Sequence, residues 1–129
     1  MARYRDLAVP DPSPSQDKLL ELLRGYPQET IDACLEFQRT RGERAFEQTF
    51  AGIIERHLVK PPAQPVAQLP GSTAIVAGLG IDSLTMVEMA FLFEDLFATQ
   101  LPHEEFSKIV TLDDLRSMLR AKLNLPTPA

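Results

Sequence analysis

Apolar residues in this chain recur every three or four positions, as the buried face of an α-helix requires. The clearest run predicts a helix from about Glu43 to Leu58 and consists of Phe46, Phe50, Ile53, Ile54, His57 and Leu58. No stretch shows the strict alternation of apolar and polar residues that is typical of a half-buried β-strand. The pattern therefore predicts an all-α fold.

A second apolar run predicts a long helix that begins at Asp82 or Ser83 and ends at about Phe97. Its expected apolar stripe consists of Leu84, Val87, Phe91 (or Met89), Leu92 and Leu96. Acidic residues lie between these positions, so we expect one face of this helix to be buried and the other to be exposed.

Two shorter segments complete the C-terminal half of the predicted fold. The stretch from His103 to Ile109 has room for only one or two helical turns. Thr111 and Asp114 form a capping-box pattern, which predicts that the last helix begins there. Pro126 is expected to end that helix, because proline cannot continue the helical hydrogen-bond ladder.

The N-terminal third of the chain is expected to add one or two helices to this fold. Ser13 is the expected cap of a first short helix, and a second helix begins at Pro27. Gly42 either separates the second helix from the next or lies inside one long helix. We therefore divide the chain into an arm and helical extension over residues 1–42 and a bundle over residues 43–125. The apolar stripes of the extension either pack on the bundle or form a docking or dimer surface.

The connection before Ser83 is rich in proline. Residues 60–71 contain four prolines and are not expected to form regular helix. The connection continues to Gly80, which makes it long for a compact domain. Connections of this length tend to be functional or to contain short turns of their own.

Composition and charge exclude several classes of function. The net charge of −5 argues against nucleic-acid binding, which needs clustered Lys and Arg. No apolar stretch is long enough to span a bilayer, and the N-terminus lacks the apolar core of a secretory signal. We therefore expect a cytoplasmic protein without a membrane span.

Charge is unevenly distributed along the chain. From Pro61 to Ser107 there is no Lys or Arg, whereas the same stretch contains six acidic residues. They are Asp82, Glu88, Glu94, Asp95, Glu104 and Glu105. An acidic face of this kind is usually just solvated, but it also steers a protein toward basic partners.

The chain offers no recognisable catalytic or metal site. His57 and His103 lie far apart in the sequence, and no nearby residue orients either of them as a base. Cys34 is the only cysteine and lies on a helical stripe that would bury it, so neither a disulfide nor a cysteine metal site is expected. Gly78-Leu79-Gly80 is not followed by the lysine or the glycines of a phosphate-binding loop. We therefore do not expect an enzyme.

One short segment combines features that a helix start alone does not require. In Gly80-Ile81-Asp82-Ser83-Leu84, a loop ends in glycine and is followed by an acid and by a serine in the first turn of a helix. Asp and Ser are both good helix caps, so capping explains either residue by itself. Capping does not explain the proline-rich loop before the segment, or the acidic helix and proline turn after it.

Residues from about 44 to 123 resemble an acyl carrier protein. The signature of that family is Gly, any residue, then Asp-Ser-Leu at the start of the second helix of a four-helix bundle, and residues 80–84 have this sequence. The resemblance continues in order through Phe93-Glu94-Asp95-Leu96-Phe97, Leu101-Pro102-His103-Glu104-Glu105 and Lys108-Ile109-Val110-Thr111-Leu112. It implies a four-helix, acyl-carrier-type bundle with one or two extra N-terminal helices.

The resemblance implies that Ser83 carries a cofactor. A phosphopantetheinyl transferase would attach 4'-phosphopantetheine from coenzyme A to Ser83, and Asp82 would help to place metal and cofactor in the transferase's own site. The thiol of the arm would hold acyl groups as thioesters for synthases and acyltransferases of fatty acid, lipid or polyketide biosynthesis. An apolar interior lined by Val87, Leu92 and Ile109 would shield the acyl chain.

The resemblance also implies that partner enzymes recognise the helix after Ser83. The expected contact positions are Leu84, Met86, Glu88, Phe91 and Glu94, whose acids would pair with Arg and Lys on those partners. The sequence departs from the family here, because Thr85, Leu96 and Ala98 stand where acids are common. These departures weaken the charge of the face and leave open which partners it serves.

Three other interpretations stay open. A peptidyl carrier would more often have a second glycine where this chain has Asp82, and the motif does not separate a polyketide carrier from a fatty acyl one. From a different class, a carrier-like bundle would act as an interaction or scaffold protein with Ser83 unmodified. The mass of the protein after treatment with a transferase and coenzyme A separates a carrier from a scaffold.

Overall fold

Helices account for the regular structure of this protein in the computed structural model, which describes residues 15–60, 62 and 64–126. Seven α-helices lie within the described residues, together with one 3-10 turn at Val66–Gln68. In chain order they are α1 (Gln16–Leu22), α2 (Gln28–Thr40), α3 (Glu43–Arg56), α4 (Ile75–Leu79), α5 (Ser83–Phe97), α6 (His103–Phe106) and α7 (Leu112–Lys122). The same residues form no strand, only an isolated antiparallel bridge between Ala74 and Thr111. The all-α prediction is confirmed for this part of the chain.

The first helix begins later than the sequence pattern predicted. Ser15 is its N-terminal cap, because the Ser15 Oγ accepts a hydrogen bond from the Lys18 N–H at 3.2 Å. The predicted cap, Ser13, lies outside the described residues. Leu19 and Leu23 are fully buried, so α1 packs against the rest of the fold.

A left-handed residue separates α2 from α3. Arg41 has a φ of 59° and donates its N–H to the carbonyl of Phe37 at 2.8 Å, which ends α2. Gly42 then adopts an extended conformation and is the N-terminal cap of α3. A left-handed residue interrupts the helical hydrogen-bond ladder, so α2 and α3 are two helices rather than one. Of the two alternatives that the sequence left open at Gly42, the structure has the break, and Arg41 rather than Gly42 has the positive φ.

A row of phenylalanine rings forms the centre of the core. Between ring centroids, Phe46 of α3 lies 5.9 Å from Phe97 of α5, and Phe50 lies 6.0 Å from Phe93. The N-terminal part of α3 therefore meets the C-terminal part of α5, and the two helices are antiparallel. Phe37 of α2 lies 5.4 Å from Phe97, within the range of favourable ring pairs. The helical extension thus packs on the same core as α3 and α5.

The buried face of α5 differs from the predicted one. Its buried residues are Met86, Met89, Ala90, Phe93, Leu96 and Phe97. Leu84 and Phe91, which the pattern placed in the apolar stripe, are 69% and 62% exposed, whereas Met89, the alternative to Phe91, and Leu96 are buried. Apolar residues occur on nearly every side of this helix, so periodicity alone does not determine which side faces inward. The contacts of Phe93 and Phe97 with α3 determine it instead.

The last helix begins as predicted. Thr111 Oγ1 accepts a hydrogen bond from the Asp114 N–H at 3.1 Å, and Asp114 Oδ2 accepts one from the Thr111 N–H at 3.0 Å. This reciprocal pair is a capping box. Arg120, near the end of α7, forms ion pairs with Glu43 and Glu47 near the start of α3. The helix α7 is therefore also antiparallel to α3.

The proline-rich connection between α3 and α5 contains two short elements, the 3-10 turn and the helix α4, and the sequence pattern had treated both as loop. Val66, in the 3-10 turn, is fully buried, and its N–H donates to Glu55 Oε2 at 2.8 Å. Ile75, the first residue of α4, is fully buried as well. These two anchors hold the connection against the end of the bundle.

Candidate functional site

Four segments meet at one end of the bundle. Because α3 runs antiparallel to both α5 and α7, the end of α3 lies beside the starts of α5 and α7. The short helix α4 joins them, since the Ile75 N–H donates to the carbonyl of Val110, just before α7, at 2.9 Å. We refer to residues 57–60, 75–84 and 109–112 together as the Ser83 end.

The segment before Ser83 is anchored at its start. Gly80 has a φ of 74° and ends α4, a left-handed conformation that glycine adopts without steric cost. Ile81 is only 2% exposed, and its N–H donates to the carbonyl of Ile75 at 3.4 Å. The chain therefore leaves α4 in a defined direction and reaches the start of α5 from a buried residue.

Asp82 positions Ser83 by capping α5. The Asp82 Oδ1 accepts a hydrogen bond from the Thr85 N–H at 2.7 Å. This bond, with a smaller contribution from the Thr85 side chain, lowers the pKa of the Asp82 carboxyl below its ordinary value, so the group is ionised at neutral pH. Ser83 is the first residue of α5 and is exposed. Its hydroxyl makes no hydrogen bond to any residue that the structure describes.

Apolar side chains are concentrated on the surface of the Ser83 end. Six large apolar side chains are exposed among the described residues. Four of the six belong to the Ser83 end or its immediate neighbours: Val59, Val76, Leu84 and Val110. Exposed apolar side chains that cluster in one region are typical of an interaction surface, whereas scattered ones need no explanation.

The predicted contact residues of α5 do not share one environment. Three of them are exposed and lie on one helical face at spacings of four and three residues: Leu84, Glu88 and Phe91. Met86 is 6% exposed and belongs to the core. The prediction that it is a surface contact was therefore wrong. Glu94 is half-buried, and its Oε2 accepts a hydrogen bond from the Leu101 N–H at 2.6 Å. Glu94 therefore holds the turn that follows α5.

The three residues predicted to shield an acyl chain lie between the core and the surface. Val87, Leu92 and Ile109 are all half-buried. Leu92 and Ile109 pack against the hydrophobic core, which also contains fully buried residues of α3, α5 and α7. Their side chains therefore lie at the edge of the core.

Sequence patterns did not identify α4, although it supports the site. A helix of five residues is too short to show periodicity, and Gly78 inside it favours a loop assignment. The only signal is the short apolar run from Ala74 to Leu79, which lies between turn residues and ends at Gly80. Its role follows from the backbone bonds that join it to the starts of α5 and α7.

The histidines and the cysteine lie in ordinary structural environments. The His57 Nδ1 is 2.8 Å from the carbonyl oxygen of Ile53, one turn earlier in α3, and His103 is exposed on α6. Cys34 is buried as predicted, and burial raises the pKa of its thiol to about 11. The described part of the chain has no group of three or more His, Cys, Asp or Glu residues placed to hold a metal ion. None of its helices is long and apolar enough to cross a membrane.

Two comparisons with known proteins found no match. No protein-family model matches the chain, and no solved structure matches it. The resemblance to acyl carrier proteins therefore depends on the motif residues alone.

Proposed function

We propose that this protein is an acyl carrier protein. Ser83 holds a 4'-phosphopantetheine arm, and the thiol of that arm carries acyl groups as thioesters between partner enzymes. In this proposal α3, α5, α6 and α7 are the four helices of the carrier bundle, and α1 and α2 are additions to it. The chain delivers the acyl group, and catalysis belongs to synthases and acyltransferases of fatty acid, lipid or polyketide biosynthesis.

One observation carries the proposal. The serine of the Gly-x-Asp-Ser-Leu segment is the first residue of a 15-residue helix, is exposed and has a hydroxyl without a hydrogen bond to the described residues. A serine that only began the helix would not need to be preceded by a separate cap, because Ser is itself a good cap. Here Asp82 caps the helix, which leaves the Ser83 hydroxyl available.

The surroundings of Ser83 fit a phosphodiester. The first N–H groups of a helix lack helical acceptors, and the helix dipole favours negative charge at this end. A Cβ atom placed on Gly80 would have no other atom within 4 Å, so there is open space beside the segment. Ser83 itself is exposed, so an arm attached to it can extend into solvent.

The modification is a phosphoryl-type transfer that needs a partner enzyme. The Ser83 oxygen would form a new bond to the phosphorus of coenzyme A next to the pantetheine, and the pyrophosphate P–O bond would break. The adenosine bisphosphate would leave, and the hydroxyl proton would pass to a base of the transferase. In this proposal the ionised Asp82 carboxylate helps to place metal and cofactor in the transferase's site.

The exposed face of α5 supports recognition by basic partners. Leu84 and Phe91 offer apolar contact area, and Glu88 lies between them on the same face. Apolar anchors with acids beside them match a partner surface in which Arg and Lys surround an apolar patch. In the proposal these three residues are the contacts, and the buried Met86 is not among them.

Intact-mass measurement tests the proposal. The full chain is incubated with a phosphopantetheinyl transferase and coenzyme A, and we expect a mass gain of one phosphopantetheine group. Ser83→Ala should abolish the gain because the attachment oxygen is missing. The matched control is Ser72→Ala, since Ser72 is also exposed and lies in the connection before the segment.

The same experiment tests the alternative. If several transferases from different pathways leave the mass unchanged, the carrier proposal is wrong, and a scaffold bundle with an unmodified serine is favoured. A gain that persists in Ser83→Ala would place the modification elsewhere and would also contradict the proposal. The mass of an acyl group on protein isolated from its source would identify the cargo.

A further inference from the structure

An open groove lies at the Ser83 end, between the end of α3 and the helix α4. We name it the α3–α4 groove; its volume is about 540 Å³, and residues 58–60, 62, 69, 73 and 77–80 line it. This volume is within the range of small-molecule sites in proteins. Gly80, at the groove, precedes Ser83 by three residues, so a group attached to Ser83 begins close to it.

The α3–α4 groove combines apolar walls with one cation. Leu58, Leu69 and Leu79 line it, are half-buried and pack against the core. Lys60 is exposed, and no carboxylate occurs among the described lining residues. Lys60 is also the last cation before the stretch from Pro61 to Ser107, which has no Lys or Arg. Such a groove suits a ligand with one negative end and a neutral body.

We propose that the phosphopantetheine arm on Ser83 folds back into the α3–α4 groove between deliveries. Its phosphodiester lies toward Lys60, and its neutral amide and thiol portion lies against the leucines. The inference rests on the proposed function, because the arm is the occupant. Tethering gives the arm a high effective concentration at the groove, so a modest intrinsic affinity is enough.

A second groove fits the arm less well. It lies between α6 and α7, has a volume of about 650 Å³, and is lined by Glu105 and Asp114 as well as by Lys108 and Lys122. Carboxylates near the phosphodiester would repel it. Lys122 is already paired with Glu105, at 3.1 Å. Charge therefore favours the α3–α4 groove.

The reactivity of the arm thiol tests the inference on the modified full chain. The rate of alkylation by iodoacetamide at neutral pH is compared with that of the thiol of coenzyme A. Cys34, the only cysteine, is buried with a thiol pKa of about 11, so it does not contribute. We expect the arm to react about tenfold more slowly than coenzyme A, because it occupies the groove about nine-tenths of the time.

Filling the groove should remove this protection. Ala77 is exposed and lines the α3–α4 groove, and Ala77→Trp should bring the rate to within about twofold of coenzyme A. The matched control is Ala67→Trp, since Ala67 is equally an exposed alanine but lines a different groove. That variant should keep the full protection. Amide NMR signals of residues 77–80 should shift on modification in the wild type and not in Ala77→Trp.

A variant that reverses the charge of Lys60 tests the same inference independently. Lys60→Glu should raise the alkylation rate about threefold, because it repels the phosphodiester, whereas Lys18→Glu on α1 should not. Two results would contradict the proposal that the arm occupies the α3–α4 groove. One is a modified wild type whose thiol reacts as fast as that of coenzyme A, and the other is protection that persists in both Ala77→Trp and Lys60→Glu. Either result leaves the carrier proposal intact. A chain that gains no mass at Ser83 contradicts the carrier proposal itself.

Discussion

The helices α5 and α7 begin in the same way. In each, a side chain before the first turn accepts a backbone hydrogen bond: Asp82 from Thr85 at 2.7 Å, and Thr111 from Asp114 at 3.1 Å. Both starts also hold a carboxylate beside the positive end of the helix. Similar side-chain caps therefore begin two helices whose surfaces are very different.

The two helices differ in how apolar residues are distributed around them. The apolar residues of α7 lie mainly on one side, and three of them are fully buried: Leu112, Leu115 and Leu119. On α5 the apolar residues continue around the helix, so Leu84 and Phe91 stay exposed although six other residues are buried. Most of the apolar surface of α7 is therefore buried, whereas α5 has apolar residues that the fold leaves exposed.

This difference between α7 and α5 separates residues that stabilise the fold from residues that contribute little to its stability. Arg120 of α7 lies 2.8 Å from Glu47 and 5.0 Å above the ring of Phe46, so its side chain connects α7 to α3. Leu84 and Phe91 make no comparable contribution, because most of their surface is in water. Under the proposed function, this surplus apolar surface of α5 is where partner enzymes bind.

The largest expected effect concerns two phenylalanines that are two positions apart on α5. Phe93→Ala should lower the free energy of unfolding by about 4 kcal/mol, because the Phe93 ring is fully buried against Phe50. Phe91→Ala should change it by less than about 0.5 kcal/mol, because Phe91 is exposed. Urea denaturation followed by circular dichroism measures both. Similar losses in the two variants would mean that α5 is oriented differently.

An intermediate effect is expected for Arg120, which is 2% exposed. Arg120→Ala should lower the free energy of unfolding by about 2 kcal/mol, because it removes the contacts with Glu43, Glu47 and the carbonyl of Pro126. The partner carboxylates are partly exposed and can bind water instead, which limits the loss.

Arg120→Met is the informative companion variant. The Arg120 Nε is buried without a hydrogen-bond partner among the described residues, so a methionine of similar length removes an unsatisfied group and keeps the packing. We expect its stability to be within about 1 kcal/mol of the wild type. If methionine is as damaging as alanine in the same denaturation experiment, the ion pairs rather than the packing hold α7 in place.

The smallest expected effect is the contribution of the two helix-capping carboxylates to the pH dependence of stability. Backbone N–H groups, chiefly those of Thr85 and Thr111, lower the pKa values of Asp82 and Asp114 respectively. A carboxyl whose pKa is lower in the folded state stabilises the fold above its unfolded pKa of about 3.9, and this contribution is lost as the pH falls through the folded pKa.

Substitution by asparagine tests this pH dependence. Asn retains a capping oxygen but does not titrate. The double variant Asp82→Asn, Asp114→Asn should therefore lose less stability than the wild type between about pH 5 and pH 2. Denaturation midpoints over that range measure the difference. An unchanged slope would show that other carboxylates dominate acid unfolding, and the two single variants compare the α5 cap with the α7 cap.

Sequence patterns predicted the local elements of this protein well and its surfaces poorly. The capping box at Thr111 and the burial of Cys34 are confirmed, and of the two alternatives for Gly42 the structure has the break. The stripe of α5 was only partly right, since Leu96 and the alternative Met89 are buried but Leu84 and Phe91 are exposed, and the surface position of Met86 was wrong. A helix with apolar residues on nearly every side has little periodic signal for its inner face. The α3–α4 groove left no signal, since its walls come from segments that are separate in sequence.

By itself, the sequence determined where the longer helices α2, α3, α5 and α7 begin and that Ser83 stands at a helix start, because caps, glycines and prolines act on their own backbone neighbours. Only the tertiary structure decided which side of α5 is buried, that α4 joins the starts of α5 and α7, and that the groove lies beside Ser83. Those features depend on contacts such as Phe93 with Phe50 and Ile75 with Val110. The residues in such pairs are far apart in sequence and meet only when the helices pack.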